Sequence, residues 1–440
     1  MINRKIVDHL FEWKVAPHRK PLLLRGARQV GKTFAVRQFG KSYRYYLEAN
    51  FEESSDIHQF FEGSLDPAII SEKLANYFGV KIEPGETLIF FDEIQACPDA
   101  LRALRFFFEK MPELQVVAAG SLLEMPLEKI PSHAVGRLNS LFLYPVSFEE
   151  FLVAFGEEGS LKMLHKASVH NPLDLAFHRR LVDAFKIYLT IGGMPEVVQA
   201  FCDTRDLRAC QEILSDLLVT FRDDFAKYKT RAPTALLNEV LQSICHQAGS
   251  KFKYSSVDRT SSVKPIKDAL DLLCLAGLAR KVYHTDARGL PLGAQINPKR
   301  FKVMLLDVGL HQRILGMNIP DLMTAQNLDV INKGSLAEVF VGQEMVVGQT
   351  NREPASLYYW HREARSSNAE VDYVVGMDGK ILPIEVKAGG KGSMQSIRQF
   401  MNERGLLQGL RVSLENFAVL KDLEIAPLYA IASYLYKEIS

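Results

Sequence analysis

The chain has 440 residues, 47% of them hydrophobic and 24% charged, with a formal net charge of +1. This is the composition of a folded soluble protein with material for roughly two to four domains. No run approaches the ~18 apolar residues that cross a bilayer, and "MINRKIVDHLFEW" is too interrupted by charge for a signal peptide, so a cytoplasmic protein is expected.

The five cysteines (Cys97, Cys202, Cys210, Cys245, Cys274) are scattered and form no C-x-x-C pair. They indicate neither a disulfide framework nor a zinc knuckle, and reduced core residues are expected.

Near the N-terminus, "PLLLRGARQVGKTFAVRQFG" reads as an apolar strand, a glycine-rich turn and an amphipathic helix. Within it Gly26, Ala27, Arg28, Gln29, Val30, Gly31, Lys32 and Thr33 satisfy G-x-x-x-x-G-K-[ST] in the strand-to-helix context that the motif requires. Gly26 and Gly31 let the backbone form a nest of N–H groups for phosphates, and the helix adds the positive end of its dipole. Lys32 offers a point charge to the β- and γ-phosphates of ATP, and Thr33 offers a hydroxyl to Mg²⁺.

Further along, "ETLIFFDEIQ" presents an apolar run that ends in Asp92 and Glu93, the pattern of a buried parallel strand delivering acids at its C-terminal edge. Asp92 is a candidate Mg²⁺ ligand, directly or through water, and Glu93 a candidate to orient or deprotonate the attacking water. Two acids after a strand also suit a helix N-cap. A third strand, "LQVVAAGS", ends at Ser121, placed to sense the γ-phosphate or the water. Arg137 in "AVGRLN" is a candidate arginine finger, in cis or across an oligomer interface, or simply a partner for a surface acid.

The blocks "GARQVGKT", "IFFDEIQ", "AAGSLLE", "YPVSFEEFL" and "IGGMPEVV" occur in an order that resembles a large prokaryotic family of AAA-type P-loop ATPases carrying a C-terminal domain of unknown function. The resemblance implies an ATPase over nearly the whole chain, and it implies nucleotide contacts for Ser121 and Arg137. Arg28 and Gln29 match the family's loop without a role that chemistry alone assigns to their side chains.

From about Asp174 to Tyr228 the pattern is helical, which suits the small lid of an AAA module. Gly192, Gly193 and Pro195 break one helix and start another, the glycines serving as a C-cap with close packing. Between Lys227 and Lys302 there are 14 Lys/Arg against 5 Asp/Glu, a candidate polyanion contact or a solvated basic face. Two helical units and "ARKVYHTDARGLPLGAQ", read as a hairpin, look like a winged helix. That module would set Ser261, Ser262, Lys264 and Lys267 at the start of a recognition helix and Arg288 in the wing. Winged helices also act as protein-interaction or packing domains.

The C-terminal part reads as the helix "GSLAEVFVGQEMVV", the strands "SLYYW", "AEVDYVVGM" and "ILPIEVKAGG", with a turn at Asp378 and Gly379, and a further helix. Glu338, Asp372, Glu385 and Lys387 then appear as E…D…E-x-K, with Asp372 and Glu385 on neighbouring strands. Carboxylates so grouped suit Mg²⁺ or Mn²⁺, with Lys387 to position a water. The arrangement resembles the PD-(D/E)-x-K nucleases, in which the corresponding residues bind metal and cleave nucleic acid. A nuclease fold used only for binding, and an unrelated salt-bridged sheet, are the other readings.

The expected architecture is therefore α/β. A P-loop AAA-type parallel sheet (residues 1–165) is followed by a helical lid (166–228), a winged-helix-like basic domain (229–298) and a nuclease-like α/β domain (299–440). The expected activity is ATP hydrolysis acting on nucleic acid, DNA foremost, with metal-dependent cleavage in the last domain and a homo-oligomer if Arg137 acts in trans. The alternative is an ATP-dependent switch or scaffold for protein partners, with a non-catalytic nuclease-like fold.

Overall fold

The computed structural model describes residues 2–121, 136–225, 232–258, 262–324, 334–349, 351–364, 367–387 and 394–436. Its first sheet comprises β1 (Leu22–Arg25), β2 (Tyr45–Asn50), β3 (Thr87–Asp92), β4 (Gln115–Ala119) and β5 (Asn139–Phe142), in the order β2-β3-β4-β1-β5. Every pairing is parallel. All residues of β3 and β4 are buried, as a parallel sheet covered on both faces demands. Leu23, Ile89, Phe91 and Val116 pack on one side with the helices Pro67–Phe78 and Pro98–Lys110. Leu22, Leu24, Phe90 and Val117 pack on the other with the helices Ile6–Val15 and Lys32–Gly40.

A helical region follows, entered by a capping box in which Ser147 and Glu150 exchange hydrogen bonds with each other's backbone. Its long helix Leu175–Ile191 ends at Gly192, whose φ is +72°. A Cβ there would lie 2.2 Å from Asp307 Oδ1, and one at Gly193 2.3 Å from the Val146 carbonyl oxygen. The double glycine is thus a close-packing turn as well as a helix end. Its contact is the buried Asp307, which accepts from the Gly193 N–H at 2.6 Å. The helical region shares a core with the C-terminal region: Phe185 meets Phe340 edge-on at 4.7 Å, and Phe148 packs near Tyr429.

The basic region contains the expected two helices, Thr234–His246 and Val263–Leu275. Of residues 279–295, read as a complete hairpin, only β6 (Ala279–Thr285) is a strand; a loop with a short helical turn at Leu292–Gln295 follows, and the hairpin is completed by β7 (Ile296–Leu305), beyond that segment. The hairpin is not a free unit. The other edge of β6 pairs in parallel with β8 (Leu357–Ala364), which pairs antiparallel with β9 (Ser367–Val371), giving a sheet β7-β6-β8-β9. The division expected at residues 298 and 299 therefore falls inside β7. In the hairpin loop, Ala287 and Leu292 are buried against Trp360, Val371 and Phe400, so the expected wing is partly spent on packing.

Asp372 links β9 directly to β10 (Tyr373–Met377), and a tight turn with positive φ at Asp378 and Gly379 leads into β11 (Lys380–Val386). With β12 (Gly409–Ser413), β13 (Ala418–Leu420) and β14 (Leu423–Pro427) these form a mixed sheet, β10-β11-β12-β14-β13. Among the described residues, no helix is long and apolar enough to cross a membrane.

Candidate nucleotide site and carboxylate cluster

The glycine-rich loop leaves the C-terminal end of β1 where the strand order reverses, β4 lying on one side of β1 and β5 on the other. Open α/β sheets bind ligands at such a crevice. Gly26 has φ of +147°, and a Cβ on it would stand 2.2 Å from the Leu143 carbonyl oxygen, so a side chain is excluded there. Gly31, with φ of +95°, opens the helix Lys32–Gly40 and leaves its first amides facing the loop.

The Lys32 ammonium is buried inside the loop, donating to the carbonyl oxygens of Gly26 at 3.0 Å and Ala27 at 2.8 Å. From behind, the buried Arg4 braces the loop. Its guanidinium donates to Val30 O at 2.9 Å and Tyr144 O at 2.7 Å, and meets Glu150 Oε1 at 3.1 Å. Sequence reasoning missed Arg4 because no local motif marks it.

Asp92 ends β3 and is buried, with Oδ2 accepting from the Thr33 hydroxyl at 2.8 Å and Oδ1 from the Glu93 N–H at 3.1 Å. Burial pushes its carboxyl up to about 6; the Thr33 hydrogen bond opposes this and the Glu93 charge adds to it. A hydroxyl and a desolvated carboxylate side by side form an oxygen donor pair suited to Mg²⁺. Glu93 occupies the left-handed region, φ 48° and ψ 43°, and accepts from the Gln95 side-chain amide. Such backbone strain in a residue other than glycine costs about 1–3 kcal/mol and gathers at functional positions. Ser121, just past β4, shares a small cleft with Arg28 and Asp224.

Two contacts tie this loop to later parts of the chain. Arg28 pairs with Asp224, the last residue of the helix Leu207–Asp224, and lies 3.7 Å from Glu52. A Cβ on Gly277, at the corner between the helix Val263–Leu275 and β6, would sit 3.3 Å from Ala27 Cβ. The basic region thus rests on the phosphate loop.

Arg137 is placed elsewhere. It precedes β5 by two residues and so stands at the N-terminal edge of the parallel sheet, where it pairs with Glu109 at 3.2 Å. The glycine-rich loop is at the opposite, C-terminal edge. A finger role in cis does not fit this topology, and the pairing with Glu109 is the surface-acid alternative.

The four C-terminal candidates do meet. Asp372 accepts from Val386 N–H at 2.8 Å, and Glu385 pairs with Lys387 at 2.8 Å. Glu338 reaches them from the helix Ser335–Gly348 through a residue that no motif in the sequence ties to the cluster. Lys302, on β7 and 2% exposed, stands 2.8 Å from Glu338, 2.5 Å from Glu370 and 3.7 Å from Asp372. Burial and the neighbouring Asp372 push Glu338 and Glu385 above the usual carboxylate range, against the pull of the lysines.

Like-charge repulsion among these carboxylates is therefore relieved by an ammonium at the centre of the cluster. Among the described residues no group of three or more His, Cys, Asp and Glu is arranged to hold a metal ion. As arranged, Glu338, Asp372 and Glu385 do not fit the expected Mg²⁺ or Mn²⁺. In the basic region Ser262, Lys264, Lys267 and Arg288 are exposed, as a contact surface requires, while Ser261 lies outside the described residues.

Three family models match the chain in series: an AAA domain over residues 18–152, a domain of unknown function (DUF8612) over 182–321, and another (DUF4143) over 333–430. No curated protein matches it. Among solved structures, the Walker-type ATPase PABY2304 of Pyrococcus abyssi is 14% identical, with 72% of this chain and 96% of that one covered and a TM-score of 0.47. The ORC1 protein of Aeropyrum pernix, solved in complex with DNA, is 14% identical, with coverage of 72% and 93% and a TM-score of 0.30. The RuvB Holliday junction branch migration motor of Thermotoga maritima is 13% identical, with coverage of 64% and 90% and a TM-score of 0.29. The chain is similar to AAA-type P-loop ATPase domains in its N-terminal part and to the DUF4143 domain in its C-terminal part.

Proposed function

We propose that this protein binds ATP with Mg²⁺, hydrolyses it, and uses the cycle to reposition its basic region on nucleic acid. The observation that carries the proposal is the convergence of Lys32, Thr33, Asp92 and Glu93 at one sheet edge, with Thr33 Oγ1 2.8 Å from Asp92 Oδ2. In this reading the Gly26–Thr33 amides hold the phosphates, and Lys32 trades loop carbonyls for phosphate oxygens. Thr33 and Asp92 hold Mg²⁺, Glu93 orients or deprotonates the attacking water, and Ser121 faces the γ-phosphate. Bound there, the ion offsets charge on the phosphates.

The nucleic-acid part is supported by the 14 Lys/Arg against 5 Asp/Glu between Lys227 and Lys302 and by the exposure of Lys264, Lys267 and Arg288. The contact of Gly277 with Ala27 offers a path from nucleotide to that region. We place the protein in the cytoplasm, and an Arg137 acting in trans calls for a homo-oligomer.

A second reading, an ATP-dependent switch with a nuclease-like but non-catalytic C-terminal domain, is favoured by Lys302 at the centre of the carboxylates. Turnover of ATP with and without DNA tests the first reading. Incubating wild type, Asp372→Ala and Glu385→Ala with DNA or RNA and Mg²⁺ or Mn²⁺ separates a C-terminal domain that cleaves nucleic acid from the non-catalytic one of the second reading. Cleavage lost in both variants supports a nuclease; cleavage by none supports the switch.

A further inference from the structure

Arg28 sits inside the phosphate loop, yet its guanidinium is turned to acids. It donates through Nη1 to Asp224, and its Nη2 lies 3.7 Å from Glu52. Glu93, the candidate for activating water, contributes to its electrostatic surroundings, and Ser121 lines the same cleft. A loop whose amides gather an anion is a poor place for an arginine unless carboxylates hold it there or an anion replaces them. Phosphoryl transfer also needs positive charge near the transferring oxygens, and Arg137 is at the wrong edge of the sheet to supply it within the chain.

We propose that Arg28 supplies that charge, exchanging Asp224 for the γ-phosphate of ATP, and is a catalytic residue provided in cis that distinguishes ATP from ADP. The proposal rests on the ATPase reading. A guanidinium presents a planar fork that suits a terminal phosphoryl group as well as a carboxylate, and the phosphoryl group brings more charge. In the reaction the water oxygen bonds to the γ-phosphorus while the bond from that phosphorus to the bridging oxygen breaks. The water proton passes to Glu93, and ADP and inorganic phosphate result. Arg28 carries no proton in this step; it offsets charge on the phosphoryl oxygens. Its departure from Asp224 loosens the end of the helix Leu207–Asp224, which precedes the basic region.

The test uses the full chain with Mg²⁺ and compares wild type, Arg28→Ala, Arg28→Lys and Asp224→Asn. Fluorescently labelled ATP and ADP report affinity, and single-turnover assays report hydrolysis. Arg28→Ala should keep ADP affinity within about twofold, lose the preference for ATP, and hydrolyse about a thousandfold more slowly. Arg28→Lys should recover part of the ATP preference, and Asp224→Asn should bind ATP several-fold more tightly with ADP unchanged. Hydrolysis by Arg28→Ala at the wild-type rate, or an equal fall in ATP and ADP affinity, overturns the assignment. If wild type binds ATP without turning it over, the hydrolysis reading fails while the ATP:ADP affinity ratio still decides the role of Arg28. Wild type that binds neither nucleotide overturns both.

Discussion

Gly277 stands directly against Ala27, so that a methyl group added at 277 would lie 3.3 Å from both the Cβ and the backbone nitrogen of that loop residue. Its φ of +75° is in the left-handed region. A side chain there meets two costs at once, the backbone conformation and the crowding of a loop that cannot shift without disturbing Gly26 and Lys32. Gly277→Ala should therefore destabilise the protein by about 1–2 kcal/mol. It should also weaken ATP binding, although residue 277 is outside the glycine-rich motif. Thermal unfolding with and without ATP measures both, and an unchanged nucleotide-induced shift would deny the coupling.

Asp92 gives the site a pH dependence with a defined sign. Its carboxyl is raised to about 6, so the folded state holds the proton more tightly than the unfolded state. Its ionisation therefore opposes folding as pH rises from the unfolded value near 4 through about 6. Metal needs the ionised form, and at pH 5 roughly a tenth of such a group is ionised. Mg²⁺-dependent ATP affinity should rise between pH 5 and 7 by up to about tenfold, and Asp92→Asn should abolish that rise. Calorimetric titrations at the two pH values measure it.

Lys302 neutralises three buried or half-buried carboxylates, so Lys302→Met leaves Glu338, Glu370 and Asp372 facing one another. Removing one partner of a buried ion network costs about 3–5 kcal/mol. Without the ammonium that holds it down, Glu338 should titrate higher still, so the deficit grows as pH rises and is smaller at pH 5 than at pH 8. Urea unfolding at both values checks the magnitude and the sign. Mn²⁺ should restore part of the lost stability in the variant and add none through this cluster in the wild type.

Arg4 supports the loop from behind, and Arg4→Ala removes the donors to Val30 O and Tyr144 O while leaving Glu150 buried without its guanidinium. The expected loss is again about 3–5 kcal/mol. Reduced ATP affinity should accompany it in the fraction that remains folded. Denaturant unfolding and nucleotide titration of the same preparation measure the two effects.

What the sequence reveals follows the distance over which each feature is determined. Eight consecutive residues between a strand and a helix define the phosphate loop, and the apolar run before Asp92 marks a strand buried on both faces. Gly192 and Gly193 announce a helix end with close packing, which the contact with Asp307 explains. Arg137 is ambiguous in the sequence because its position depends on β5, a four-residue strand without a strong pattern, and on the order of strands around it.

The C-terminal cluster is half legible. The turn at Asp378 and Gly379 fixes the register of β10 and β11, and so brings Asp372 beside Glu385. Lys302 is 36 residues before Glu338 and joins the cluster only because β6 pairs with β8, a non-local contact. One signal is present. A single lysine in the otherwise apolar run Phe301–Leu305 is a charge that must find a partner on burial.

If Gly26–Thr33 and Asp92 form a working ATP site, steady-state release of inorganic phosphate by wild type and Lys32→Ala, assayed side by side with Mg²⁺, will separate the two proteins. The wild type should turn ATP over, and the variant should do so at least about a hundredfold more slowly with the fold retained. Equal turnover by the two proteins would contradict it.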